Sequence, residues 1–197
     1  MTVAVNDRPP SRRRKGLLAL LLLSLTLPSI STSVLTVAWF TDSLSVGANA
    51  FTTGTIDIST SPSTALLTAS AMMPGDTVNG TLVVTNSGSA QLRYALSTSA
   101  TNTDSKALRD AIALTIKTQG ASCAAFDGTM LYTGDLASAA FGDGTPGEQS
   151  GDRTLSAGTS ETLCFQAQLP TSTDNSYQGA TTTATFTFDA EQTANNA

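Results

Sequence analysis

Four runs of this chain alternate strictly between apolar and small or polar residues, the period of a half-buried β-strand. Leu92, Tyr94 and Leu96 alternate with Arg93, Ala95 and Ser97, and Ile112, Leu114 and Ile116 with Ala113, Thr115 and Lys117. Leu163, Phe165, Ala167 and Leu169 alternate with Thr162, Cys164, Gln166 and Gln168, and Ala184, Phe186, Phe188 and Ala190 with Thr183, Thr185, Thr187 and Asp189. Further short strands are expected at Ile56–Ile58, Leu82–Thr85 and Met130–Tyr132. Turn signals lie between these runs: Pro74-Gly75-Asp76, Asn79-Gly80 and Asn86-Ser87-Gly88-Ser89. One helical turn is expected near residues 104–111, with Asp104 as its cap and Ala107, Leu108 and Ala111 facing inward. About seven short strands, frequent turns and almost no helix predict an all-β fold, an antiparallel β-sandwich with one short helix. Patterned strands reach almost to the last residue, which excludes a disordered Ser/Thr-rich stalk.

A different signal precedes the strands. Arg12-Arg13-Arg14-Lys15 stands directly before Leu17–Leu23, the layout of a secretory signal helix. Thr36-Val37-Ala38 offers a small-residue cleavage site, and Ala48-Asn49-Ala50 a second one further from the apolar run; the expected cut falls at the first, near Thr36, Ala38, Trp39 and Phe40. The apolar stretch continues to Phe40 and is long enough to span a bilayer, so a retained membrane anchor is the alternative. The expected division is a signal peptide at 1–38, a free N-terminal segment at 39–54 and a β-sandwich domain at 55–197. Membrane contact is expected only through the signal segment.

Export sets the electrostatics and the redox state. Residues 1–38 hold five of the ten basic residues and one of the fifteen acids, which leaves the remainder with a net charge of −9. Such a surface repels nucleic acid, so no nucleic-acid partner is expected. The two cysteines, Cys123 and Cys164, are most simply one disulfide outside the cell. Cys164 falls on the strand face opposite the core residues, so the bridge is expected to pin the Cys123 loop onto the outside of that strand. A loop of about 40 residues corresponds to roughly 4 kcal/mol of chain-entropy stabilisation.

Several segments, in their order along the chain, resemble the TasA/camelysin family. They are Trp39-Phe40-Thr41-Asp42, then Asn49–Ile58, then Met73-Pro74-Gly75-Asp76 through Val84-Thr85-Asn86-Ser87-Gly88. Leu169-Pro170, Asn175–Gly179 and Phe186–Gln192 resemble the family's closing pattern. The resemblance implies precursors cut by a SipW-type signal peptidase and a jelly-roll-like β-sandwich. For TasA-like members it implies a cell-surface or biofilm-matrix protein that assembles into fibres, with itself or related matrix subunits, by strand addition. For camelysin-like members it implies a cell-surface metalloendopeptidase.

The residues weigh these differently. Zinc hydrolases use His, Cys and carboxylate ligands, and this chain contains no His. That excludes the H-E-x-x-H motif and a Ser-His-Asp triad. An aspartic dyad would need two paired carboxylates, and nothing in the sequence marks a pair. Asp143, Glu148 and Asp152 lie in a Gly-rich loop whose oxygens suit calcium, but their spacing does not match an EF-hand; a mobile acidic loop is the alternative, and no cofactor is expected. Phe40, Leu44, Val46 and Phe51 stud the segment that cleavage would free, and such a segment can complete another subunit's sheet. Asn79-Gly80-Thr81 matches the glycosylation sequon and equally a plain turn. The expected function is therefore a self-assembling surface or matrix protein. A peptidase and a non-polymerising adhesin or coat protein are the alternatives.

Overall fold

The computed structural model describes residues 50–196. Two antiparallel sheets face each other across one core. The first contains β1 (Ile58–Ser61), β2 (Thr77–Asn86), β8 (Ser160–Gln168), β4 (Ala113–Thr118) and β5 (Met130–Asp135), in that order. The second is built on β3 (Leu92–Ala100). β9 (Ala184–Gln192) pairs with it along its whole length, and the short β6 (Ala140–Phe141) and β7 (Arg153–Leu155) pair with it over two and three residues. Because β9 fills one edge of β3, β6 and β7 share the other. The expected all-β sandwich is the architecture found.

The alternating runs supply the core. Leu92, Tyr94, Leu96, Leu114, Ile116, Leu163 and Phe165 are fully buried between the sheets, and Phe165 meets Phe186 edge-on at 5.2 Å between ring centroids. Every core residue lies between Ile58 and Ala190, so the sandwich carries a core of its own. Burial of these side chains is the main force holding the sheets together.

Five local expectations are corrected. The first strand begins at Ile58, and Ile56 stays exposed. Asn79 and Gly80 do not turn; they lie within β2, opposite Gln166 and Phe165. Gly80 is there for close approach, since a Cβ would stand 2.8 Å from the Leu66 carbonyl oxygen and 2.9 Å from Leu67 Cδ2. Asp104 does not cap the helix α1 (Leu108–Ala111), whose N-cap Ala107 is left-handed and makes no side-chain cap. Instead Asp104 accepts the Lys106 and Thr181 backbone N–H groups, while Asn102 accepts that of Ala107. No residue of α1 is fully buried. Finally, Arg93 and Ala95 are buried although they point away from the sandwich core. Residues 142–152 and the tail after β9 lie over them, and Gly142 takes a positive φ in direct apposition to the Ala95 methyl.

Candidate functional site

The described chain opens with an exposed stretch, residues 50–57, tied down at Thr55 and at Asp57, whose carbonyl accepts the Ser87 N–H at 2.8 Å. The Thr55 carbonyl accepts the N–H groups of Ser89 (3.1 Å) and Ala90 (3.3 Å), and Thr55 N–H donates to Ser89 Oγ at 3.0 Å. Ahead of that anchor, Phe51 is 95% exposed. A phenyl ring fully in water contributes nothing to the stability of its own domain. The other residues expected at the cleavage site and in the strand-exchange segment, Thr36, Ala38, Trp39, Phe40, Leu44 and Val46, lie outside the described residues.

Cys123 and Cys164 form a disulfide. It fastens the loop between β4 and β5 to the outside of β8. Lys117, which pairs with Cys164 in register, donates to the Phe126 carbonyl at 2.8 Å and sits over the Phe126 ring. That loop cover makes Cys164 a buried residue on an outer face.

The acidic loop is organised by its own backbone. Asp152 accepts the Asp143 N–H through one oxygen and the Gln149 N–H through the other, both at 2.9 Å, and Asp143 accepts the Thr145 N–H. Glu148 is exposed and stands 3.9 Å from Arg93. Beneath the loop, Arg93 donates to Glu191 at 2.6 Å and to the Asn196 carbonyl. Burial raises the pKa of Glu191, but hydrogen bonds from Arg93, Asn196 and the Gly147 N–H outweigh it and leave that pKa lowered.

A second polar cluster crosses between the sheets, and the sequence did not single it out. Tyr94 on β3 donates to Glu161 on β8 at 2.7 Å, and Glu161 also accepts two bonds from Arg153 on β7. Burial, then the Glu161 carboxylate, push the Tyr94 phenol well above its ordinary range, so it remains a neutral donor. Asn86 is equally enclosed. Its amide donates to the Ala90 and Leu155 carbonyls and accepts the Gly88 N–H, which joins the β2 end, the following turn and β7. The turn signal at Asn86–Gly88 was visible in the sequence, but its reach to Leu155 was not.

The family model of the camelysin metallo-endopeptidases matches residues 19–117. The chain belongs to this family. No curated protein matches it. The metal that the family's name implies has no ligand set among the described residues. The chain has no His, both Cys are in the disulfide, and among the described residues no three of His, Cys, Asp and Glu stand close enough together to hold an ion. Thus a zinc site does not fit this camelysin-family chain. Among the described residues no helix is long and apolar enough to cross a membrane.

Proposed function

We propose that this camelysin-family protein is an exported structural subunit of the cell surface or extracellular matrix, and that it assembles by strand addition rather than cleaving peptides. The observation that carries the reading is the donor inventory. A family named for a metallo-endopeptidase is here represented by a chain whose His count is zero and whose thiols are locked together. A zinc enzyme needs three protein ligands and an open position. The exposed Phe51 at the head of the sandwich, following a segment that carries Phe40, Leu44 and Val46, supports the assembly side of the proposal. An extended apolar segment gains affinity from main-chain hydrogen bonds at a sheet edge and specificity from alternate side chains. A head-to-tail contact that does not close on itself gives a filament.

The test compares two chains at equal concentration by negative-stain microscopy and sedimentation, one beginning at Trp39 and one at Thr55. Filaments from the longer chain alone are expected; monomers from both would remove strand addition. The family's name favours one second reading, a surface metalloendopeptidase. Proteolysis by the purified protein that chelator abolishes and zinc restores would establish that reading instead.

A further inference from the structure

We propose that the polar cleft lined by the 142–152 loop and the tail after β9 is a binding site for a neutral saccharide. This goes beyond the assembly reading and does not rest on it.

The cleft is made by an insertion. β6 and β7 run along the same edge of β3, with Phe141 opposite Leu96 and Arg153 opposite Tyr94. Only Ala95 lies between those pairs, so a single residue would join β6 and β7 into one strand. Residues 142–152 stand in its place. Their ends meet: Gly142 and Gly151 both take a positive φ, a Cβ on Gly151 would stand 3.0 Å from the Gly142 nitrogen, and Asp152 accepts the Asp143 N–H. This is an Ω-loop, a compact excursion held by its own contacts. It adds no side chain to the core, which closes beneath it through Phe141 and Leu155. Instead it folds over Arg93, where the Gly147 N–H donates to Glu191 at 3.0 Å. The tail is fixed nearby, Thr193 donating to Gln91 Oε1 at 2.8 Å and Asn196 to Glu191 at 2.7 Å. Loop and tail together line a cleft of about 290 Å³, near the lower end of the range of small-ligand sites.

The walls select the ligand. Every lining side chain is charged, an amide or a threonine, so an apolar molecule finds no matching surface. An anion finds no surplus positive charge, because Arg93, the cation of the lining, is matched by Glu191 at 2.6 Å and stands 3.9 Å from Glu148. An organic cation meets Arg93 and carboxylates already engaged. Asp152 accepts two backbone N–H groups, and Glu191 accepts from Arg93, Asn196 and Gly147. Among the described residues no three acids converge to hold a metal ion. The chemistry left is that of a sugar: uncharged, and able to donate and accept hydrogen bonds over most of its surface.

The cleft keeps groups for such a ligand. Gln149, one of its lining residues, has its Oε1 buried with no donor among the described residues. An unpaired buried acceptor is costly, so this amide gains by turning to a hydroxyl that enters the cleft. Gln91 spends its oxygen on Thr193 and retains its amide N–H groups; Asn196 spends its nitrogen on Glu191 and retains its oxygen. Glu148 stands exposed at the rim, where its two carboxylate oxygens can accept from neighbouring hydroxyls.

Saturation-transfer difference NMR on the chain beginning at Trp39 tests this, since it reads weak ligands on monomer and filament alike. The probes are maltotriose, cellotriose, mannotriose and tri-N-acetylchitotriose, with spermidine and trigalacturonate as cationic and anionic counterparts. At least one neutral trisaccharide should receive saturation, with millimolar affinity. Gln149→Leu and Gln91→Leu should each weaken it about tenfold, the effect of one lost hydrogen bond. Gln166→Leu, on the outer face of β8, should leave it unchanged; circular dichroism of each variant checks the fold. No transfer to any neutral saccharide up to tens of millimolar would overturn the proposal. Transfer that both cleft variants retain would overturn the site, and transfer to spermidine or trigalacturonate alone would overturn the ligand class. Filament formation decides none of these outcomes.

Discussion

Asn86→Asp changes one atom pair at the most enclosed polar side chain of the fold, and its cost should depend steeply on pH. Asn86 has no exposed surface, and its amide nitrogen lies 2.9 Å from the Ala90 carbonyl oxygen and 3.1 Å from that of Leu155. An aspartate there puts an oxygen against two carbonyl oxygens. In its acid form it still donates one hydrogen bond and loses one, a cost of about 1–2 kcal/mol. In its ionised form it loses both and carries a buried charge facing acceptors, so the native state holds the proton and the folded pKa rises above the unfolded value of about 3.9. The folded state then binds more protons than the unfolded one, and stability is lost as pH rises. With the folded pKa at or above about 7, the added loss between pH 4 and 7 is about 4 kcal/mol, at 1.36 kcal/mol per unit. The total at pH 7, about 5–6 kcal/mol, approaches the whole stability of an ordinary domain. Asn86→Ala should cost about 3 kcal/mol at both pH values, since it removes the bonds without adding a charge. Urea unfolding followed by circular dichroism at pH 4 and pH 7, with the parent chain alongside, measures both. A pH-independent difference between Asn86→Asp and the parent, or one below about 1 kcal/mol at pH 7, would refute the reasoning.

Three further outcomes are expected. Reducing the Cys123–Cys164 bridge, which closes a loop of sequence separation 41, should lower stability by up to about 4 kcal/mol; thermal melts with and without reductant read this, and Lys117 should lose its contact with Phe126. Tyr94→Phe should cost about 1.5–3 kcal/mol in a denaturant titration, because it removes a bond to the Glu161 carboxylate while leaving the ring's packing intact. Asp104, Asp135, Asp174 and Glu191 all have lowered pKa values in the folded protein. For the three aspartates, hydrogen bonds from backbone N–H or Ser hydroxyl groups are the largest cause. Their contribution is present above the unfolded carboxylate range and is lost as pH falls through the folded values, so melting temperature should drop below about pH 4 and Asp104→Asn should flatten that drop.

The strands that face the core were legible because alternation is a local property. Leu92, Tyr94 and Leu96 read as one buried row from sequence, and they are one. The failures share one cause, contacts from distant parts of the chain. Gly80 reads as a turn beside Asn79, but Leu66 and Leu67 press on it and β8 pairs with it, so it is strand. Arg93 reads as a solvated outer residue, yet Glu191 and Asn196, about a hundred positions later, enclose it to 5% exposure. Asp104 has the residue type of a cap, but Thr181 competes for its oxygens. Cys164 reads as an outer-face residue and is one; its burial comes from the loop that Cys123 carries. On the candidate site, the apolar character of the segment before Ala50 is legible in the sequence, whereas the full exposure of Phe51 shows only in the fold.

The segment that places this chain among the camelysin metallo-endopeptidases is also the segment least able to bind a metal. Residues 19–117 contain five aspartates and no His, Cys or Glu. Of those aspartates, Asp76 accepts the Met73 N–H, Asp104 accepts from Lys106 and Thr181, and Asp110 stands 3.6 Å from Arg109. The later acids are engaged in the same way: Asp127 by Ala121, Asp135 by Ser138, Asp174 by Ser176, Glu161 by Tyr94 and Arg153. A carboxylate whose oxygens receive backbone or guanidinium donors within a turn is poorly placed to converge with others on a cation. What the matched half does hold is most of the apolar run that follows Lys15, the apolar segment at Phe40–Phe51, the strands β1 to β3 and nearly all of β4.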